Sequence, residues 1–245
     1  MTPIVVIPAR MASSRLPGKP LVDIGGVPMI LRVLRRAEAA EIGPVVVACA
    51  EPVIAEVVVD AGGHAVMTDP ELPSGSDRVF QAVSRLDPGG RHSVVVNLQG
   101  DVPTIEPAVI RAALVPLDDP DCDIGTLVAP IADETEAATP SFVKAACAFA
   151  EGAKVAPALY FSRAAIPWGN GPRWHHIGIY AYRRAALARF VALPESLLER
   201  REGLEQLRAL EAGMRIGCAR VAHGPFGVDT PADLARARAM VEAAR

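Results

Sequence analysis

Residues 3–20 read PIVVIPARMASSRLPGKP, a short apolar run followed by a loop rich in cations. The apolar residues 4–7 predict a buried strand, and the loop after it carries Arg10, Arg15 and Lys19. Arginine fits phosphate oxygens bidentately and lysine adds a mobile point charge, so three cations directly after a strand predict a phosphate-binding loop. The alternative is a solvated surface loop that forms ordinary salt bridges.

This loop matches neither of two common phosphate-binding motifs. A Walker A loop requires G-x-x-x-x-G-K-[ST], whereas residues 18–20 read GKP. The G-x-G-x-x-G pattern of dinucleotide-binding folds does not follow the first predicted strand either.

The composition narrows the class of protein. Of 245 residues, 51% are hydrophobic and 22% are charged, so we expect a sizeable core. The formal net charge is −3 and the cations are local, which favours a small anionic ligand over a nucleic acid. No segment is typical of a signal peptide or a membrane helix, and the four scattered cysteines lack C-x-x-C spacing. We therefore expect a cytoplasmic protein with reduced thiols and no membrane partner.

Apolar runs alternate with amphipathic segments along the first hundred residues. Strands that alternate with helices predict an α/β fold, a mostly parallel sheet with helices on both faces. The predicted strands are 4–7, 45–49, 65–67 and 94–98, and the predicted helices are 28–40, 52–61 and a third, capped by Ser76 or Asp77, that runs to about Leu86.

The pattern changes in the middle of the chain, where strand-like segments follow one another without crossover helices. Parallel pairs need such crossovers, so we expect an antiparallel or mixed portion there. We interpret residues 1–245 as a single domain with an elaborated middle at about 123–183. The predicted strands are 123–128, 142–149, 177–182 and 216–221, and the predicted helices are 184–192, 204–212 with Gly213 as its stop, and 231–244.

Two carboxylates are candidates for a metal site. Asp101 follows the strand 94–98, and open α/β sheets bind ligands at the carboxyl ends of their strands. Mg²⁺ usually takes one or two carboxylates together with phosphate oxygens, and Asp229 is available as the second. The alternative for Asp229 is a helix N-terminal acid that complements the helix dipole.

Polar side chains cluster in the later half of the sequence. Arginine, histidine and amide groups together suit a polyhydroxylated carboxylate such as an acidic sugar, although each histidine alone is more typical of a structural residue. Zinc is disfavoured because no H-x-x-x-H or H-E-x-x-H spacing occurs. The residues concerned are Tyr160, Ser162, Arg163, His175, His176, Tyr180, Glu205 and Gln206.

Taken together, these segments resemble the 3-deoxy-manno-octulosonate (Kdo) cytidylyltransferases, also called CMP-Kdo synthetases. The resemblance covers nearly the whole chain, and several of its motifs are specific to this family among nucleotidyltransferases. It rests on residues 7–30, SGSDR at 74–78, VVNLQGD at 95–101, Lys144, YFSRAAIPW at 160–168, HIGIYAYRR at 176–184, LEQLRALEAG at 204–213 and GVDTPADL at 227–234.

The resemblance implies a Rossmann-like nucleotide-diphospho-sugar transferase fold and a homodimer, with residues 123–183 as a sugar-binding and dimerisation portion. It implies the reaction CTP + Kdo → CMP-Kdo + pyrophosphate with Mg²⁺, which activates the sugar for lipopolysaccharide core synthesis. We expect direct in-line attack of the anomeric hydroxyl on the α-phosphate, catalysed by positioning and charge neutralisation. The implied catalytic residues are Arg10, Arg15, Lys19 and Asp101; the nucleotide site is Ala9, Arg10, Lys19, Ser74 and Gln99; the sugar site is Arg15, Arg163, His176, Tyr180, Glu205 and Gln206; and the metal ligands are Asp101 and Asp229.

The chain departs from the family pattern at three points. Leu72 stands where the family usually has a histidine, Val102 stands where glutamate is frequent, and the stretch between Trp168 and His176 is short. Two alternatives remain: a cytidylyltransferase for another 2-keto acid sugar, such as sialic acid or an amino-substituted Kdo, and a nucleotide-binding protein without activity.

Overall fold

The computed structural model describes residues 1–13 and 15–243, so the last predicted residue of the helix 231–244 lies outside the described residues. The chain divides into two compact units, one formed by residues 1–110 with 225–245 and the other by residues 111–224. Each unit is described by itself below. The single-domain interpretation stays a prediction.

The first unit is built on a parallel sheet of four strands in the order β5-β4-β1-β6. Every residue of β4 and β6 is buried, as expected for strands covered on both faces. The predicted parallel sheet of an α/β fold is confirmed. The strands of this unit are β1 (Pro3–Ala9), a small hairpin of β2 (Asp23–Ile24) and β3 (Val27–Pro28), β4 (Val45–Cys49), β5 (Ala65–Met67) and β6 (Val94–Asn97).

Helices of the first unit fall close to the predicted positions, and the C-terminal helix Pro231–Ala243 packs with residues from the start of the chain. Within the described part of the chain, no helix is both long enough and apolar enough to cross a membrane. The other helices of this unit are α1 (Met29–Glu38), α2 (Pro52–Asp60), α3 (Gly75–Leu86), α4 (Pro107–Ala112, whose last two residues fall in the second unit) and a short 3-10 helix (Lys19–Leu21).

The predicted cap of α3 is wrong, although its end at Leu86 is confirmed. The N-cap is Ser74, whose Oγ accepts the Asp77 backbone N–H at 3.2 Å and donates to Asp77 Oδ2 at 2.6 Å. Ser76 and Asp77 both lie inside the helix, in its first turn. The two sequence candidates failed because the loop enters the helix earlier than the apolar periodicity indicates.

The second unit carries a mixed sheet, which confirms the prediction for the middle of the chain. Its strands run in the order β10-β7-β11-β9-β8, and β8 also pairs with the start of β10. Only the β7–β11 pair is parallel among these pairings. The strands are β7 (Ile124–Pro130), β8 (Lys144–Cys147), β9 (Val155–Ser162), β10 (Trp174–Arg183) and β11 (Ile216–Arg220). Strand β9 was not predicted; it contains Pro157, a residue that is uncommon inside a sheet.

Helices of the second unit are short. The helix 184–192 is confirmed as α6 (Arg184–Ala192), whereas the predicted helix 204–212 is wrong at its start. The helix begins at Leu207 rather than at residue 204, because residues 203–206 form a turn; Gly203 (φ 63°) caps the end of the preceding helix, which was not predicted. The remaining helices are α5 (Glu134–Ala138), α7 (Leu197–Glu202), α8 (Leu207–Glu211) and a 3-10 helix (Val115–Asp118).

Candidate active site

A cavity of about 390 Å³ lies in the first unit, and its lining residues follow the carboxyl ends of β1 and β6. Four cationic side chains and two carboxylates line it, which leaves a net charge of +2. This volume is typical of small-ligand pockets, and the positive balance suits a polyphosphate. The charged lining residues are Arg10, Arg15, Lys19, Arg78, Asp101 and Asp229.

The cation loop is tied to the protein at several points. Leu16 is buried in an apolar cluster with Val228 and residues of the C-terminal helix, so it anchors the loop between two cations. Gly18 has φ 67° and donates its N–H to the Met11 carbonyl at 3.3 Å, which starts the 3-10 helix. The Met11 N–H donates to Glu51 Oε2 at 3.0 Å. The backbone that carries the loop cations is therefore held in a defined conformation by hydrogen bonds and by the buried Leu16.

The two predicted metal ligands come together around one nitrogen atom. Lys19 Nζ lies 2.7 Å from Asp101 Oδ2 and 2.8 Å from Asp229 Oδ1. Arg15 Nη2 also contacts Asp229 Oδ1, at 3.1 Å. Burial by itself would lower the pKa of Lys19, but the charges of Asp101 and Asp229 and their hydrogen bonds outweigh it and raise this pKa. Lys19 is therefore an ammonium ion held between two carboxylates.

Backbone contacts fix the separation of these carboxylates. The Val228 N–H donates to the Asp101 carbonyl at 2.9 Å, which joins the two acid-bearing segments. Asp233 Oδ2 accepts the backbone N–H groups of Asp229 at 3.2 Å and Thr230 at 2.9 Å. Burial would raise the pKa of Asp233, but these hydrogen bonds and that of the Thr230 hydroxyl lower it. An ionised Asp233 thus stabilises the turn that presents Asp229.

Arg78, to which the sequence pattern gave no role, is a buried residue at the cavity wall. It donates to Thr68 Oγ1 at 2.6 Å, to the Asp69 carbonyl at 2.9 Å and to the Pro70 carbonyl at 3.3 Å. Burial lowers the pKa of Arg78, and the negative charge of Glu51 opposes that change. Its place in the SGSDR motif was the available signal, but only tertiary structure shows that it braces the neighbouring loop.

The remaining predicted nucleotide residues also line the cavity: Ala9, Ser74 and Gln99. Ala9 is buried and its carbonyl accepts the Ala50 N–H at 3.0 Å, while Gln99 Nε2 donates to Asn97 Oδ1 at 3.2 Å. Leu72 lines the same cavity, so this departure from the family pattern lies at the site. The cavity thus brings together all the predicted nucleotide, catalytic and metal residues, and their individual roles stay predictions.

The predicted sugar residues other than Arg15 belong to the second unit. His176 Nε2 lies 3.0 Å from Thr126 Oγ1, and its ring centroid is 5.5 Å from that of Tyr180. Burial lowers the pKa of His176 to about 3, and burial also raises the pKa of Tyr180 well above its usual value. Both side chains are therefore neutral at physiological pH. Gln206 is buried and Glu205 half-buried in the turn between α7 and α8.

Arg163 is engaged with the backbone of its own unit. Its guanidinium donates to the carbonyls of Glu202 at 2.7 Å, Gly203 at 3.2 Å and Pro140 at 3.2 Å. The Glu202 carboxylate accepts from the Arg163 N–H at 2.9 Å, and the fully buried Lys144 donates to the Arg163 carbonyl at 2.6 Å. These contacts give Arg163 a structural role, and its contact with sugar stays a prediction.

Comparison with known proteins identifies the family to which the chain belongs. The family model for cytidylyltransferases matches residues 4–216. A 3-deoxy-manno-octulosonate cytidylyltransferase of Rhodospirillum centenum is 62% identical over 240 residues, which cover 98% of this chain and 93% of the relative. A protein of the same name from Parvibaculum lavamentivorans is 63% identical over 237 residues, which cover 97% of this chain and 92% of the relative.

Two solved structures confirm the predicted nucleotidyltransferase fold. CMP:2-keto-3-deoxy-manno-octonic acid synthetase complexed with CTP matches with a TM-score of 0.92 and 40% identity over all of both chains. The 4-diphosphocytidyl-2C-methyl-D-erythritol synthase of Anaerococcus prevotii matches with a TM-score of 0.66 over 98% of both chains, and its 10% identity shows a shared fold alone. The chain belongs to the cytidylyltransferase family and, within it, to the 3-deoxy-manno-octulosonate cytidylyltransferases.

Proposed function

We propose that this enzyme transfers the cytidylyl group of CTP to the anomeric hydroxyl of Kdo, which forms CMP-Kdo for lipopolysaccharide core synthesis and releases pyrophosphate. The names of the relatives and the CTP held by the similar solved structure support the proposal. The observation that carries it is the cavity in the first unit, which is lined by four cations and by two carboxylates that converge on Lys19.

The chemistry is a direct in-line displacement. The hydroxyl oxygen forms a bond to the α-phosphorus, the bond from that phosphorus to the bridging oxygen breaks, and pyrophosphate leaves with the bonding electrons while the hydroxyl proton is released. Arg10, Arg15 and Lys19 bind the triphosphate and stabilise the charge on the leaving pyrophosphate. Arg15 is 65% exposed at its side chain, so it can turn from Asp229 toward an entering phosphate. Ala9, Ser74 and Gln99 surround the cytidine.

A divalent cation fits the pair of carboxylates. Asp101 and Asp229 already face one positive charge at 2.7 and 2.8 Å, and carboxylate oxygens are ligands that Mg²⁺ prefers. Among residues 1–13 and 15–243, no group of three or more histidine, cysteine, aspartate or glutamate side chains is arranged to hold a metal. Phosphate oxygens would complete the shell, and the bound ion would polarise the α-phosphate. The chain's own part is to hold the two carboxylates at the cavity wall.

For Kdo, we propose the predicted polar residues of the second unit, namely Arg163, His176, Tyr180, Glu205 and Gln206. Neutral histidine and tyrosine side chains suit hydrogen bonds to sugar hydroxyls, and the low pKa of His176 and high pKa of Tyr180 support that protonation state. A panel of Kdo derivatives that lack single hydroxyls would map these contacts through changes in KM.

A homodimer and a cytoplasmic location belong to the same proposal. The second unit exposes large apolar side chains, with Leu159 at 66%, Trp168 at 98% and Leu197 at 68%, which supports burial against a second copy. CTP is a nucleotide of the cytoplasm, so the reaction is expected there. Light scattering of the purified protein should give twice the mass of the 25.8 kDa chain, and a monomeric mass would contradict the dimer.

Pyrophosphate release tests the proposed reaction. We expect release from CTP and Kdo with Mg²⁺, and little from UTP or when Kdo is replaced by sialic acid. Preference for sialic acid or an amino-substituted Kdo would change the acceptor but not the reaction class. Tight CTP binding without pyrophosphate release from any sugar would show a nucleotide-binding protein without activity.

A further inference from the structure

Lys19 occupies the point at which the two cavity carboxylates converge. Its Nζ bridges Asp101 and Asp229, and its side chain is 15% exposed, whereas theirs are 30% and 43% exposed. Arg15 contacts Asp229 from a more exposed position. The ammonium of Lys19 therefore neutralises the carboxylate pair from the inner side of the cavity.

A divalent ion and this ammonium cannot occupy that point together. Mg²⁺ binds carboxylate oxygens at about 2.0–2.1 Å, so an ion ligated by Asp101 Oδ2 and Asp229 Oδ1 would compete with Lys19 Nζ for the two oxygens that it contacts at 2.7 and 2.8 Å. The two cations would also repel each other at short range. We therefore expect Lys19 to move away from these oxygens when they bind a metal.

Lys19 can move without unfolding the loop. It is the first residue of the short 3-10 helix and follows Gly18, while Leu16 keeps the backbone anchored. A lysine carries a compact charge on a flexible four-carbon stem, unlike the planar fork of arginine. Because Lys19 lines the same cavity as Arg10, phosphates that enter the cavity would offer its ammonium a new partner.

We propose that Lys19 is an exchangeable counter-ion that couples nucleotide binding to metal binding. Without nucleotide, it holds the carboxylate pair and keeps divalent ions out. When the triphosphate enters, Lys19 turns to the phosphates, and Asp101 and Asp229 accept the ion that accompanies the nucleotide. The proposal rests on the proposed function for the identity of the nucleotide. By linkage, metal must raise nucleotide affinity by the same factor by which nucleotide raises metal affinity.

The test measures metal binding without nucleotide, with Mn²⁺ as the probe and the free ion counted by electron paramagnetic resonance. We expect Lys19→Gln to bind Mn²⁺ about tenfold more tightly than the wild type, within the range of typical coupling factors. The double variant Lys19→Gln with Asp229→Asn should lose this gain. Lys154→Gln removes an exposed lysine of the second unit and should match the wild type.

Thermal unfolding supplies a second readout. Lys19→Gln leaves two carboxylates facing each other, so Mn²⁺ should raise its unfolding temperature more than that of the wild type. Equal Mn²⁺ affinities for wild type and Lys19→Gln, or no binding to Lys19→Gln, would overturn the proposal. The pyrophosphate assay stands apart from this test: loss of the CTP and Kdo reaction would refute the proposed function, while tighter Mn²⁺ binding by Lys19→Gln would still support the exchange.

Discussion

The stability of the second unit should depend on pH through His176. This ring packs 4.7 Å from Phe161, and its Nε2 lies 3.0 Å from Thr126 Oγ1. The Thr126 hydroxyl has one proton, which it donates to the carbonyl of Ile177 at 3.2 Å or Ile179 at 2.9 Å. Its oxygen therefore accepts from His176 Nε2–H, which fixes a neutral tautomer. A second proton on the ring would be buried with its charge.

The magnitude follows from the two pKa values. Burial lowers the pKa of folded His176 to about 3 from the ordinary value of 6.5. Between these values the unfolded chain binds more protons, so the free energy of unfolding falls as the pH is lowered through that window. The slope is at most about 1.4 kcal/mol per pH unit, which amounts to about 2 kcal/mol at pH 5 and at most roughly 5 kcal/mol near pH 3. Such losses are large beside a typical domain stability of about 5–15 kcal/mol.

Urea unfolding of the wild type and His176→Gln at pH values from 7 to 4 checks this expectation. Carboxylates titrate in both proteins, so the difference between the two curves isolates the histidine. The wild type should lose its advantage over the variant as the pH falls. His223→Gln removes an exposed histidine and should run parallel to the wild type. A constant difference between wild type and His176→Gln across the series would refute the reasoning.

Three further expectations concern the site and the packing around it. Asp101→Asn should lower turnover by about 100-fold, as expected for one lost electrostatic stabiliser, while CTP affinity without metal is kept because the cavity becomes more positive. Near-normal turnover with saturating CTP and Mg²⁺ would contradict this expectation. The matched control is Asp121→Asn, which removes an exposed carboxylate. Arg78→Met should cost about 3 kcal/mol or more in urea unfolding, because three acceptors lose a buried donor; an unchanged midpoint would contradict the bracing role. Gly125→Ala should lower the unfolding temperature and reduce the free energy of unfolding by about 1–3 kcal/mol, because the added Cβ would lie 2.3 Å from a backbone oxygen. The control Gly89→Ala should leave the unfolding temperature unchanged, because its Cβ meets no atom within 4 Å.

The first unit was predictable because the hydrophobic pattern of each segment agrees with its burial in the folded structure. Valine-rich runs such as 45–49 and 94–97 form buried parallel strands, and their short length and β-branched composition favour a strand over a helix. Strand β9 was harder to predict, because it contains Pro157, which is uncommon inside a sheet. In the structure Pro157 pairs with Gly217 of β11. The turn at residues 204–206 was predicted as helix because Leu204, Leu207 and Leu210 have the spacing of one helical face.

The site was predictable in its acids and loop cations, because Asp101 follows a strand and the GVDTP segment precedes a helix. The contact of Lys19 with both acids was not predictable, because Asp101 is 82 positions and Asp229 is 210 positions further along the chain. The role of Arg78 was not predictable for a similar reason, because it depends on contacts with residues 68–70 that the sequence alone does not place beside it. Arg163 was predicted for the sugar, and only the structure shows its guanidinium engaged with backbone carbonyls.

The anchoring of Leu16 beside Val228 and the C-terminal helix has a consequence for synthesis on the ribosome. The cation loop emerges well before its partners, because Lys19 precedes Asp229 by 210 positions and the apolar partners Leu234 and Ala237 come later still. A nascent chain that ends before Val228 has the loop without its anchor and Asp101 without its companion acid. The phosphate-binding centre can therefore form only after the segment that carries Val228, Asp229 and the first turns of the C-terminal helix has been synthesised.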